Sequence, residues 1–123
     1  MTKKNHTTLQ LRSLKLNVNL GWRKKEREHE QTVLLDIDLH FLQVPKACLS
    51  DNLDDTVCYA TLIEEIQRQL DTKDFRLIEH LSYAIYQIIK THTPAKTKIS
   101  VRITKFPKIK GLTGGACFCY EDK

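Results

Sequence analysis

Four short stretches of this chain carry side chains able to do chemistry on a small planar molecule. Glu26 stands five residues after Gly21 and five before Gln31, inside the charged run Arg23-Lys24-Lys25-Glu26-Arg27-Glu28. The run Ser50-Asp51-Asn52-Leu53-Asp54-Asp55-Thr56-Val57-Cys58 leads into Tyr59. Glu79 lies within Leu77-Ile78-Glu79-His80-Leu81, and Lys105 ends Val101-Arg102-Ile103-Thr104-Lys105. Two carboxylates, a phenol and an amine result. A carboxylate can accept two parallel hydrogen bonds from a planar edge with adjacent N–H donors. Lysine can form a Schiff base when its pKa is depressed, or move protons. A phenol can cover a ring and still offer a hydroxyl.

Each side chain also fits an ordinary structural role. Glu79 falls near an apolar helical stripe, where a carboxylate must find a partner or reach water. A lone lysine at a strand end is normally solvated. Tyr59 can pack a helix start with its hydroxyl outward. Glu26, Glu28 and Glu30 alternate, and any of them fits a solvated strand end. Asp51, Asp54 and Asp55 read as turn and cap residues.

The elements that must position these groups follow from periodicity. Residues 1–7 read as a flexible tail, and 8–123 as a single domain. Leu9 and Leu11, then Leu14, Leu16, Val18 and Leu20, alternate with polar neighbours; the change of parity predicts a bulge near Arg12-Ser13. Val33, Leu35, Ile37, Leu39 and Phe41 form the clearest strand, with Asp36, Asp38 and His40 on its other face. A helix is expected from Asp55 or Thr56, with Tyr59, Leu62, Ile63, Ile66 and Leu70 at helical spacing. A second is expected from Asp74, ending before Pro94. Ile99, Val101 and Ile103 alternate in a third strand, and Ala116 to Tyr120 make the last. The order β-β-α-α-β-β predicts an α+β fold: a four-stranded antiparallel sheet with two helices on one face. Its two open edges invite pairing with other copies.

Composition narrows the class. With 123 residues, 41% apolar and 28% charged, the chain suits one soluble globular domain. It has no apolar run long enough to span a bilayer and no apolar segment of signal type behind its basic start, so a cytoplasmic protein without a membrane partner is expected. The net charge of +5 is scattered. Its one dense run is interrupted by acids, which favours a solvated face over a nucleic-acid patch. The four cysteines are expected to be reduced, buried, inert thiols; no metal site is expected from them.

In this order and spacing, the four stretches resemble the dihydroneopterin aldolase family of folate biosynthesis. The similarity covers about residues 9 to 121, most specifically at Asp51 to Tyr59, Leu77 to Leu81 and Val101 to Lys105. It implies the tunnelling fold, in which subunit sheets join into an oligomeric barrel and two rings stack as a homo-octamer with active sites at subunit interfaces. It implies retro-aldol cleavage of dihydroneopterin to hydroxymethyldihydropterin and glycolaldehyde, a lyase reaction using no metal, cofactor or Schiff base. Glu79 and the Ile78 backbone would bind the pterin, Glu26 its hydroxylated side chain, Lys105 would be the acid–base residue, and Tyr59 would come from the neighbouring subunit to cover the ring and relay a proton. A slip in the charged loop would hand the role of Glu26 to Glu28. Dihydroneopterin triphosphate epimerase shares the fold, and Arg23-Lys24-Lys25 would suit its triphosphate. A non-catalytic basic binding module is the alternative of another class. The segments Lys108 to Gly115 and Asn17 to Arg23 depart from the family pattern, the latter lacking the usual His and Tyr.

Overall fold

The structure, a computed structural model, describes residues 6–123. The tail expected over 1–7 falls largely outside these residues, and Thr7 is already the first residue of a strand. That strand, β1 (Thr7–Leu20), pairs antiparallel with β2 (Gln31–Phe41). The register slips between Leu11 and Leu14, as the parity change predicts. At the slip Ser13 takes a left-handed φ of 55°, and its N–H donates to Asp36 Oδ1 at 2.7 Å. The outward carboxylate of β2 thus holds the bulge in a conformation that an L-residue rarely adopts.

Between the two strands a loop carries a short helix, α1 (Lys24–Arg27). After β2 come α2 (Ala47–Ser50), a single 3-10 turn at Leu53–Asp55, and then α3 (Tyr59–Leu70). The helix expected from Asp55 or Thr56 begins at Tyr59 instead. Asp55 accepts the Ser50 hydroxyl at 2.6 Å and so is not free to cap, and Thr56 is extended at φ −151°. The second long helix, α4 (Ile78–Thr91), starts four residues later than the expected Asp74. Asp74 and Phe75 form a two-residue strand, β3, parallel to the end of β1. β4 (Thr97–Lys105) and β5 (Ala116–Glu121) complete the sheet.

The strand order is β3-β1-β2-β4-β5, so the sheet has five strands and one parallel pair, where four antiparallel strands were expected. Both long helices cover one face. Leu62, Ile66, Leu81, Ile85 and Ile89 pack there over Leu35, Ile37, Val101 and Ile103, all essentially without solvent contact. Truncating any one of these to alanine would cost about 2–5 kcal/mol. The opposite face is bare and polar. The cysteine expectation fails here: Cys117 and Cys119 are exposed on β5, as is Cys48, and Cys58 is half-buried; all four are free thiols. β5 is an edge strand, and Cys117 and Cys119 lie on its exposed face. Among the described residues no helix is long and apolar enough to cross a membrane.

Candidate active site

The site is assembled at one end of the sheet, where β1 and β4 finish and β2 and β5 begin. Gly21 follows β1, and its N–H donates to the Phe75 carbonyl at 2.9 Å. That bond extends the β1–β3 pairing and brings two distant segments together. One is the loop bearing Glu26; the other runs from Phe75 into the first turn of α4, where Ile78 and Glu79 are the first two residues.

Glu26 folds over Gly21. A Cβ on Gly21 would lie 2.2 Å from the Glu26 Cβ, so only glycine allows the approach. Glu26 Oε1 accepts the Arg23 N–H at 3.4 Å, a weak contact. The Arg27 guanidinium ties the loop down by donating to the carbonyls of Gly21 at 3.0 Å and Trp22 at 2.9 Å. The Gln31 side-chain amide donates to the Leu20 carbonyl. Spacing alone does not announce these roles of Arg27 and Gln31; their side chains meet backbone left unpaired where two strands splay.

Glu79 is exposed, and Ile78 half-buried, in the first turn of α4. Unsatisfied N–H groups of a helix start favour a negative charge there. Phe75 is buried beneath, with its ring centroid 5.9 Å from that of His80.

Lys105 is the last residue of β4, one step beyond the Leu34–Thr104 pair and opposite Ala116 of β5. It shares parity with Ile99, Val101 and Ile103, which places it on the helix-covered face, half-buried. Among the described residues it has no ion-pair partner. The turn that follows returns tightly: a Cβ on Gly115, whose φ is +78°, would lie 2.5 Å from the Lys105 carbonyl oxygen.

Tyr59 does not join them. It begins α3 beside the first half of β1, in an open groove with Leu9, Leu11, Leu14 and Ile63. α3 then runs its 12 residues, roughly 18 Å, toward the β3 end. The phenol therefore sits at the opposite end of the sheet, 54% exposed. The loop bearing Glu26 and the segment leading into Ile78 and Glu79 are joined at the Gly21–Phe75 bond, Lys105 closes a strand at the same sheet end, and Tyr59 lies at the other.

A family profile described as FolB, dihydroneopterin aldolase, matches residues 9–118. A Chlamydia pneumoniae protein named "Probable dihydroneopterin aldolase" is 33% identical over 87 residues, which span 70% of this chain and 65% of that protein, just under two thirds of its length. Dihydroneopterin triphosphate 2'-epimerase of Escherichia coli K12 is 23% identical over 84 residues, covering 68% of this chain and 69% of its own. The crystal structure of Escherichia coli dihydroneopterin aldolase in complex with neopterin superposes with a TM-score of 0.82 at 18% identity, over 95% of this chain and 99% of that one. At that identity the superposition speaks to the fold alone. With the profile spanning nearly all of β1 through β5, the chain belongs to the dihydroneopterin aldolase family.

Proposed function

We propose that the protein is a cytoplasmic dihydroneopterin aldolase, a lyase that cleaves dihydroneopterin to hydroxymethyldihydropterin and glycolaldehyde. Glu79 accepts the ring's amino group and adjacent N–H, with the Ile78 backbone alongside, and Glu26 takes the side-chain hydroxyls. A base removes the proton of the second side-chain hydroxyl. The bond between the first and second side-chain carbons then breaks, the second carbon becoming the aldehyde and the electron pair entering the ring imine, and the enamine is reprotonated at the first side-chain carbon. Lys105 and Tyr59 handle these protons. The ring imine serves as electron sink, so the reaction calls for neither a lysine Schiff base nor a metal. Rate comes from orientation and proton transfer.

The observation that carries this is the meeting of the two carboxylate-bearing segments at the Gly21–Phe75 hydrogen bond, at the sheet end where Lys105 closes β4. The exposed position of Tyr59 at the far end supports a site completed by a second copy, within an octamer. An epimerase acting on the triphosphate is the second reading; the Escherichia coli relative and the cations Arg23, Lys24 and Lys25, without ion-pair partners among the described residues, favour it.

Product analysis after incubation with dihydroneopterin, and separately with its triphosphate, tests both, with Lys105→Ala as control. Glycolaldehyde and hydroxymethyldihydropterin from the unphosphorylated substrate, reduced at least about 100-fold in Lys105→Ala, are the expected result. Inverted triphosphate with negligible cleavage would make the protein an epimerase. No turnover of either would overturn the pterin reading.

A further inference from the structure

Two exposed side chains flank the carboxylate segments without a part in the mechanism above. The Arg76 guanidinium carbon lies 5.9 Å from the centroid of the Trp22 indole. Trp22 is 64% exposed. The pair is fixed from beneath: Trp22 follows Gly21, Arg76 follows Phe75, and these two neighbours are joined by the 2.9 Å backbone bond. Arg27 holds the Trp22 carbonyl from the other side at 2.9 Å. An indole this exposed gains little from burial, so its use lies in what it presents.

Stacking occupies the face of a guanidinium and leaves its rim of N–H donors free. Among the described residues Arg76 has no carboxylate partner, whereas Arg68 on α3 pairs with Glu65. Arg76 is three residues before Glu79, and Trp22 is four before Glu26. A positive, planar, pre-oriented donor thus stands beside the loop that would receive the substrate's side chain. Arg23, Lys24 and Lys25 on the same loop, without ion-pair partners among the described residues, add positive charge. A planar fork on a rigid platform matches phosphate oxygens rather than hydroxyls.

We propose that Arg76, held over the Trp22 ring by a cation–π contact, is a specificity residue that takes a phosphate ester at the far end of the substrate's side chain. This rests on the pterin reading of the site. The phosphate remains on the two-carbon aldehyde fragment when the bond between the first and second side-chain carbons breaks, so the recognition asks for no change in the chemistry.

The test is calorimetric binding of neopterin, neopterin monophosphate and inorganic phosphate to the full-length protein, at low and at moderate salt. Wild type is compared with Arg76→Ala, Arg76→Lys and the remote, charge-matched Arg68→Ala. The wild type is expected to prefer the monophosphate over neopterin by about ten-fold or more at low salt, less as salt screens the contact. That ratio should fall toward one in Arg76→Ala, fall partway in Arg76→Lys, which keeps the charge without the fork, and hold in Arg68→Ala. A wild-type ratio of one, or a ratio that survives in Arg76→Ala, overturns the proposal. Inorganic phosphate binding as tightly as the ester would make this a free anion site and also overturn it. Failure of both pterins to bind would remove the pterin reading, and this role with it.

Discussion

Glu79 presents a carboxylate at the second residue of a 14-residue helix, exposed and on the side of α4 next to the β1–β3 junction. The helix start favours its charge, and its oxygens face water rather than a fixed partner. That combination suits an acceptor for a ligand better than a structural contact. Glu79→Gln tests it with the least change of shape. The amide offers one acceptor and, where the second oxygen stood, a donor facing the donors of the ring. Neopterin affinity is expected to fall about 10- to 100-fold, the loss of one charge-assisted pair. The melting temperature should hold, because the side chain buries little. Unchanged affinity by fluorescence titration would remove Glu79 from the ring site. Arg76 belongs to the same scale: an arginine with no ionic partner among the described residues, over an exposed indole, has N–H donors left to offer a ligand.

At the scale of elements, the end of the sheet away from Lys105 is locked by the chain terminus. Asp122 accepts the Tyr86 hydroxyl and the Ile99 N–H, the latter at 3.1 Å, while its own N–H donates to the Ile99 carbonyl at 2.9 Å. Burial pushes the Asp122 carboxyl up, but the Tyr86 and Ile99 hydrogen bonds, with Lys90 and Lys98, outweigh it and leave the group below its ordinary value. A depressed carboxylate adds stability that is fully present above its unfolded pKa, near 4, and is lost as pH falls through the lower folded value. Asp122→Asn should therefore lower stability by about 1–2 kcal/mol at neutral pH, and the gap to wild type should begin to narrow below about pH 4. Urea unfolding across pH 3–7 measures this, and a gap that does not depend on pH would show that the charge contributes nothing. The same scale shows what periodicity can and cannot reveal. The alternation of β1 and β2, and the bulge at Ser13, were legible because one face of each strand is buried and a slipped register flips it. The strand at Asp74–Phe75 was not: two residues have no period, and their pairing with Asn19 and Leu20 depends on contacts more than fifty positions away. Asp74 has the look of a helix cap, but the sheet edge claims it. Asp55 likewise has cap chemistry, but Ser50 occupies it. So the sequence points to each candidate residue without the short strand that joins the two carboxylate segments.

At the scale of the whole molecule, the separation of Tyr59 from Glu79 becomes a statement about assembly. α3 carries the phenol to one end of the sheet, and the β1–β3 junction holds the carboxylates at the other. No side-chain rotation closes a gap of a helix length. Large exposed apolar side chains also gather at both ends: Leu42, Val44, Leu49 and Leu53 with Tyr59, and Leu77, Phe106 and Ile109 toward the carboxylates. Two different patches on one chain suit a head-to-tail contact, which makes a ring where the rotation between copies closes. If the site is shared in this way, Tyr59 and Glu79 act from different copies, and two dead variants can rescue one another. Tyr59→Ala and Glu79→Gln should each have little activity alone. Unfolded together in equal amounts and refolded, they should recover about one quarter of wild-type sites, because each interface has that chance of drawing its Glu79 from the tyrosine variant and its Tyr59 from the glutamate variant. Mixing without unfolding should recover nothing until subunits exchange. Absence of recovery after co-refolding, with assemblies of wild-type size by light scattering, would place both residues in one copy's site or remove Tyr59 from catalysis. Recovery near one quarter would locate the active site between copies, and explain why a chain with a well-buried core leaves its phenol facing outward.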